Sequence, residues 1–273
     1  MKLTNKNHFK KYGYTVLRNF FSKDEIEYFK NVLEDQIDKP SQRVFNQEKL
    51  WHVVGNKKLI NIMNDLVEEK TYFLWHADSK STSIPEVEYG WHRDNPCRQF
   101  GLGDDWDNKN GPYKVLRVGM YFQSFKKSKS SLNIFQNSHK KKITFSQISL
   151  FLIKRISKIL NLINLKTTKI ENYFYNLIGI NIQTDPGDVI IFSGNMLHSA
   201  TSTKDKKYAI FLTFGANNIH SENHINYYFY HRKIAGYQKN MISQEFINFL
   251  KSNGIFMDIT DEKKNIRGVS IPK

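Results

Sequence analysis

Asp185-Pro186-Gly187-Asp188-Val189-Ile190-Ile191-Phe192 is the stretch on which the fold turns. Its first four residues are turn formers. Proline presets a backbone angle, glycine accepts a left-handed one, and aspartate side chains bond to nearby backbone amides. Four apolar residues follow without a break, three of them β-branched. A short apolar run opened by a tight turn predicts a buried strand. Six residues beyond Phe192 stands His198, which that strand carries back into the body of the protein.

Working outward, residues 14–17, 72–76, 116–122, 132–135, 179–183 and 208–214 are further short runs rich in β-branched and aromatic side chains. Gly, Pro, Asn, Asp and Ser punctuate them. Many short strands separated by turn signals predict a mainly β fold, a sandwich or jelly roll. Helices flank it. Ser22-Lys23-Asp24-Glu25 has the form of a capping box, and Ile26, Phe29, Val32 and Leu33 then recur at helical spacing as far as Ile37. Further helices are expected over 57–68 and 243–251. Within 145–165, Phe145, Ile148, Leu152, Ile156, Ile159 and Ile163 fall on one helical face. This predicts an amphipathic helix inserted between strands and packed on the barrel, with a lid or a membrane-surface contact as alternatives. No repeat and no low-complexity linker interrupts the chain. One domain over 1–273 is therefore expected, with a core at 8–215 and an aromatic, basic extension at 216–273.

Composition excludes several classes. A single cysteine, Cys97, can form neither an internal disulfide nor a thiolate-only metal site, and lacking a basic partner it is expected to be a packed thiol. Among 273 residues, 41 Lys and Arg against 26 Asp and Glu give a net charge of +15, but 33 of the cations are lysine. Such usage suits a solvated lysine surface, or attraction to an anionic metabolite or membrane surface. With only eight arginines, a nucleic-acid partner is not expected, since base edges and phosphates are read through the guanidinium fork. The first eleven residues are polar and basic, and no uninterrupted apolar run of membrane-spanning length occurs, so a cytoplasmic protein is expected.

The chemistry-bearing residues lie beside the strands. Trp91-His92-Arg93-Asp94 contains His-x-Asp, and in an extended segment positions i and i+2 face the same side. One imidazole and one carboxylate can then meet one ion, and a distant histidine completes a 2-His-1-carboxylate triad that leaves positions open on Fe(II). His198 is that histidine in this reading. His76-Ala77-Asp78 is a second copy of the pattern, but it follows an aromatic strand, where a packed or hydrogen-bonded histidine is expected. Arg117, Gly119, Tyr121 and Gln123 alternate on one strand face, so Arg117 and Tyr121 are candidates to meet an anionic substrate or cosubstrate. The run 227–232, Tyr-Tyr-Phe-Tyr-His-Arg, could stack on a sugar or base, and packing on the barrel is the simpler expectation.

Taken together, these segments resemble the phytanoyl-CoA dioxygenase-like family of Fe(II)/2-oxoglutarate-dependent oxygenases. Residues 8–33 resemble its strand–helix entry, 91–94 its iron motif, and 186–198 the second half of its barrel. Residues 130–140 (SSLNIFQNSHK) resemble a strand and turn that the family writes Gly-x-Leu-x-x-x-Pro-Gly-Ser-His-Lys. Here Gln136-Asn137 replaces Pro-Gly, and His139 is expected to be structural. The resemblance implies a double-stranded β-helix (jelly roll, cupin-like) core with flanking helices. It also implies Fe(II) on His92, Asp94 and His198, with 2-oxoglutarate and O2 as cosubstrates. The family anchors the far carboxylate of 2-oxoglutarate with arginine on the strand after the distal histidine. This chain has Lys207 there, with Lys206 as the neighbouring alternative. The implied activity is hydroxylation of a C–H bond of a small, anionic metabolite, with succinate and CO2 released from the cosubstrate. The rival is a non-catalytic barrel that binds an anionic ligand or a membrane surface.

Overall fold

The turn at 185–188 and its strand form as their residues dictate. In the computed structural model, which describes residues 4–84, 89–141, 179–232, 236–271 and isolated positions between 148 and 177, Gly187 has a φ of 91°. A Cβ there would lie 2.7 Å from Ile26 Cδ1, so glycine is required by space as well as by angle. The buried Asp188 carboxylate accepts from Asn19 N at 2.9 Å, Asp185 N at 3.0 Å and Arg18 Nη1 at 2.5 Å, tying the turn to the N-terminal strand.

Two antiparallel sheets face each other. The larger runs β1 (Tyr14–Leu17), β9 (Val189–Ser193), β6 (Val115–Tyr121), β11 (Lys207–Ala216), β4 (Asp78–Thr82) and β2 (Gln42–Arg43), and β3 (Thr71–Phe73) also pairs with β11. The smaller runs β5 (Tyr89–His92), β10 (His198–Ala200), β7 (Leu132–Ile134) and β8 (Ile180–Ile182). This is a mainly β, jelly-roll (cupin-like) core with helices against it. Register across the large sheet sets what faces inward: Phe192, Arg117 and Thr213 form one row, and Tyr121, Ala209 and Lys80 another. Strands β1, β4, β6, β9 and β11 of this sheet present buried positions on both faces, because helices cover the outside.

Helix α1 (Asn5–Tyr12) precedes β1, and α2 (Lys23–Glu34) follows it. The capping box forms as expected: Glu25 N donates to Ser22 Oγ at 3.3 Å, and Ser22 N to Glu25 Oε2 at 2.8 Å. Phe29 and Leu33 bury the inner face of α2, contributing about 1.5–3 kcal/mol each. Helices α3 (Glu48–Val54) and α4 (Lys57–Val67) complete the N-terminal layer, and a single turn, α5 (Phe125–Ser128), follows β6. Past the barrel come α6 (Ile219–Asn226) and α7 (Gln244–Ser252). Phe246, Leu250, Ile255 and Ile266 of the 216–273 extension belong to the same core as Phe73 and Trp75.

Two expectations are corrected. The strand expected over 72–76 ends at Phe73. Trp75 takes a φ of 67°, with its buried indole donating to Met257 O at 2.9 Å, and His76 N closes a tight turn on Leu74 O at 2.7 Å. In the 145–165 insert, Phe145 and Ile163 lie outside the described residues. Ile148, Leu152, Ile156 and Ile159 are helical but exposed, so these four side chains are not buried in the barrel's core.

Candidate metal centre

His92 ends β5 and His198 begins β10, and the two are register partners in the antiparallel pair. His92 Nδ1 lies 2.8 Å from Gly90 O, and His198 Nδ1 3.0 Å from Met196 O. A carbonyl can only accept, so each Nδ1 holds the proton and donates it. Each Nε2 is left with its lone pair. Both lone pairs turn to Asp94: His92 Nε2 is 3.7 Å from Oδ1, and His198 Nε2 is 3.6 Å from Oδ2. One ligand atom from each of the three residues lies within 4.8 Å of the others. Two imidazole lone pairs and a carboxylate aimed at one point repel each other unless a cation sits among them. The donor set, two nitrogens and one carboxylate oxygen, suits a divalent metal such as Fe(II).

Strand alternation produces this convergence. His92 and Asp94 face inward, whereas Arg93 turns away, donates from Nε to Asn195 O at 2.9 Å and lies over Phe100 and Trp106. Asp94 N and Asn95 N both donate to Gly194 O at 3.1 Å, which fixes the end of β5 against the turn after β9. Protonation states agree with ligation. Burial first, and His198 second, push His92 down to about 3, and burial also lowers His198. Both therefore stay neutral. Burial alone would raise the Asp94 carboxyl, but the Arg117 guanidinium holds it well below its ordinary value.

Arg117 is buried. Its Nε pairs with Asp94 Oδ2 at 2.8 Å, while Nη1 donates to His76 O at 2.9 Å and to Thr213 Oγ1. The carboxylate is thus clamped from behind. Arg117, Asp94 and both histidines line a cavity of about 620 Å3. Tyr121 and Lys207 line it too. The Tyr121 hydroxyl is buried and finds no hydrogen-bond partner among the described residues, and Lys207 is only 5% exposed. Lys206 points the other way, out to Glu34 at 2.6 Å. The sequence candidates His92, Asp94, His198, Arg117, Tyr121 and Lys207 are therefore brought to one cavity.

The opposite wall was not foreseen. His76 is packed and hydrogen-bonded, as expected, yet it lines the same cavity with Asp78, Arg43, Tyr228, Tyr237 and Arg232. Its Nδ1 is 3.2 Å from His224 Nε2, and its ring stacks on Tyr228 at 3.7 Å. Asp78 pairs with Arg43 and accepts from the Tyr237 hydroxyl at 3.0 Å. The signal was present in the alternation of His76 and Asp78. The tyrosines carry no such mark, because they arrive from the C-terminal extension. Tyr228 Oη reaches Asp94 O at 3.3 Å, so the 227–232 run packs beside the His92, Asp94 and His198 cluster. Cys97 is buried and pushed up to about 12 by burial and by Asp105, an inert thiol. His139 is not part of the His92, Asp94 and His198 group.

The buried histidines give the metal-free protein an acid limit. His224 is lowered to about 3, by burial and then by Arg117, and His76 is lowered well below its usual value by the same two causes. An unfolded imidazole titrates near 6.5. Below that pH the unfolded chain binds protons that the folded chain refuses, so stability falls as pH falls through the window from about 6.5 towards 3. Urea-unfolding midpoints of the metal-free protein should drop between about pH 7 and 5, each such histidine adding a slope of up to about 1.4 kcal/mol per pH unit. His224→Gln should flatten the dependence, and an unchanged slope would place the acid sensitivity elsewhere.

Solved structures share this architecture. HygX from Streptomyces hygroscopicus is similar at a TM-score of 0.59 and 16% identity, over 80% of this chain and 88% of its own. It has also been crystallised with iron, and with nickel and 2-oxoglutarate. EctD from S. alaskensis, crystallised with 2-oxoglutarate and 5-hydroxyectoine, is similar at 0.54 and 15% identity, over 79% of this chain and 76% of its own. SnoN, a non-haem α-ketoglutarate-dependent epimerase from nogalamycin biosynthesis, is similar at 0.52 and 9% identity, over 78% and 81%. The likeness is one of fold. No family model matches the chain, and no curated protein matches it.

Proposed function

We propose that this protein is an Fe(II)/2-oxoglutarate-dependent dioxygenase that hydroxylates a C–H bond of a small metabolite. The observation that carries the reading is the convergence of His92 Nε2, His198 Nε2 and the Asp94 carboxylate on one point at the wall of a cavity. Its likeness to HygX, EctD and SnoN supports the reading, since their descriptions name iron, 2-oxoglutarate or both. When bound, Fe(II) and 2-oxoglutarate supply an O2-derived oxidant strong enough to attack an unactivated C–H bond, and the cosubstrate leaves as succinate and CO2.

The chain's own residues supply ligation, orientation and exclusion of water. His92 and His198 hold neutral rings in the one tautomer that presents Nε2. Asp94 contributes a carboxylate kept ionised and oriented by Arg117. Because Asp94 occupies the carboxylate position, no ligand site is left for a halide, so hydroxylation is favoured over halogenation. Lys207 is the charge for the far carboxylate of 2-oxoglutarate, and the unsatisfied Tyr121 hydroxyl is a second donor for it. Phe192, Phe211 and Leu132 line the cavity with apolar surface that excludes water. The wall of Arg43, His76, Asp78, Tyr228 and Tyr237 is left for the substrate, with donors and one paired carboxylate that suit a polar or anionic molecule.

Under anaerobic conditions, Fe(II) followed by 2-oxoglutarate should give a visible charge-transfer band. A protein that shows no band, and no iron-dependent succinate formation with any pool of metabolites, would not be this enzyme. Lys207→Met should weaken 2-oxoglutarate in the band titration by roughly thirtyfold, about 2 kcal/mol for one lost charge-assisted contact, while Fe(II) binding holds. Lys207→Arg should recover most of it, and equal affinities in all three proteins would remove Lys207 from the cosubstrate site.

A further inference from the structure

Ile148, Leu152, Ile156 and Ile159 are helical, and their spacing puts them on one side of the helix. They are 47%, 52%, 47% and 62% exposed, and beyond them Leu177 and Ile180 are exposed as well. Single exposed aliphatics are ordinary, but a contiguous stripe of them marks a surface that something covers. Charge indicates what that is. Residues 139–180 hold eight Lys and Arg (Lys140, Lys141, Lys142, Lys154, Arg155, Lys158, Lys166 and Lys169) against one acidic residue, Glu171, in a chain of net charge +15. Arg155 lies within the stripe's own span and is exposed.

We propose that this stripe docks the protein on the surface of an anionic lipid bilayer. A second copy fits less well. A self-pairing contact would set eight positive charges against eight more, with one carboxylate, Glu171, in each segment to offset them. An anionic bilayer offers both things the segment lacks, an apolar boundary for the aliphatics and negative headgroups for the lysines. Lys154, Arg155 and Lys158 interrupt the apolar residues, so the segment rests on the membrane and does not cross it. Among the described residues, no helix is long and apolar enough to cross one. The inference does not depend on the iron chemistry, and the test reads it separately.

The full-length protein should co-sediment with phosphatidylcholine vesicles containing about one-third phosphatidylglycerol at low salt, and about tenfold less in roughly 0.5 M NaCl, where charges are screened within a few ångströms. Pure phosphatidylcholine vesicles should leave it in the supernatant. The double variant Leu152→Glu/Ile156→Glu should lose at least about tenfold in binding while its melting temperature and its Fe(II)/2-oxoglutarate band stay unchanged. Leu152→Trp should shift its emission to the blue on adding anionic vesicles. No sedimentation and no shift would overturn the proposal, as would equal binding to uncharged vesicles. Self-association that Leu152→Glu/Ile156→Glu abolishes, without vesicle binding, would overturn it in favour of a second copy.

Discussion

His92→Ala, Asp94→Ala and His198→Ala should each abolish the charge-transfer band and reduce iron-dependent succinate formation on the order of 10³-fold, the equivalent of about 4 kcal/mol. Each residue offers one of three donors, and no other His, Cys, Asp or Glu among the described residues joins them in a comparable group. The three losses differ in what they leave behind. Removing either histidine vacates a polar edge of a cavity already open to water, so the fold should change little. Removing Asp94 strands the buried Arg117 guanidinium, whose other partners are the neutral His76 O and Thr213 Oγ1. An uncompensated buried charge costs about 3–5 kcal/mol, so Asp94→Ala should melt well below both histidine variants. Formate, a carboxylate small enough for the vacated space, should restore part of that stability. His76→Ala is the control. It removes the other His-x-Asp pattern but no lone pair from the metal, and it should keep the band. Loss of the band in His76→Ala with retention in His92→Ala would put the metal at the other pair.

The parts of this site that the sequence made legible share one property: their information is local. His92-x-Asp94 works because a strand alternates, and the turn at 185–188 because Pro186, Gly187 and Asp188 each have a backbone reason to be there. Arg117 and Tyr121 were placed on one strand face by the same alternation. What alternation could not supply was the partner across the sheet, since nothing within β6 announces that Arg117 meets Asp94. The wall of His76, Tyr228 and Tyr237 was hidden for two further reasons. Trp75 leaves the strand through a left-handed turn that only its tertiary hydrogen bond to Met257 O explains. Helix α6 has no amphipathic pattern to find, because its buried side is polar. His220 lies 3.3 Å from Asp105, Asn226 donates to Glu262 O, and His224 meets His76. Hydropathy registers burial of apolar groups and misses a helix held by polar ones.

Arg117→Met should weaken binding of Fe(II), or of Ni(II) as an air-stable probe, by about 10–100-fold, the range typical when the group orienting a metal ligand is lost. Two effects act in the same direction. The Asp94 carboxylate loses the contact at 2.8 Å that fixes its rotamer. It also loses the charge that outweighs its burial, so its affinity for protons rises. Metal must then displace a proton that the native site does not hold, and the variant's metal affinity should fall more steeply than the native protein's as pH is lowered from about 7 to 5. A purely structural role for Arg117, bracing β6 against β11 and the turn at His76, would lower the melting temperature and leave that pH dependence unchanged. Arg117→Lys separates the two further. It keeps the positive charge but not the planar fork that reaches Asp94, His76 O and Thr213 Oγ1 together. It should therefore restore the native pH dependence of metal binding and recover only part of the affinity. If Arg117→Met binds Ni(II) as tightly as the native protein at every pH, the clamp has no part in holding the metal.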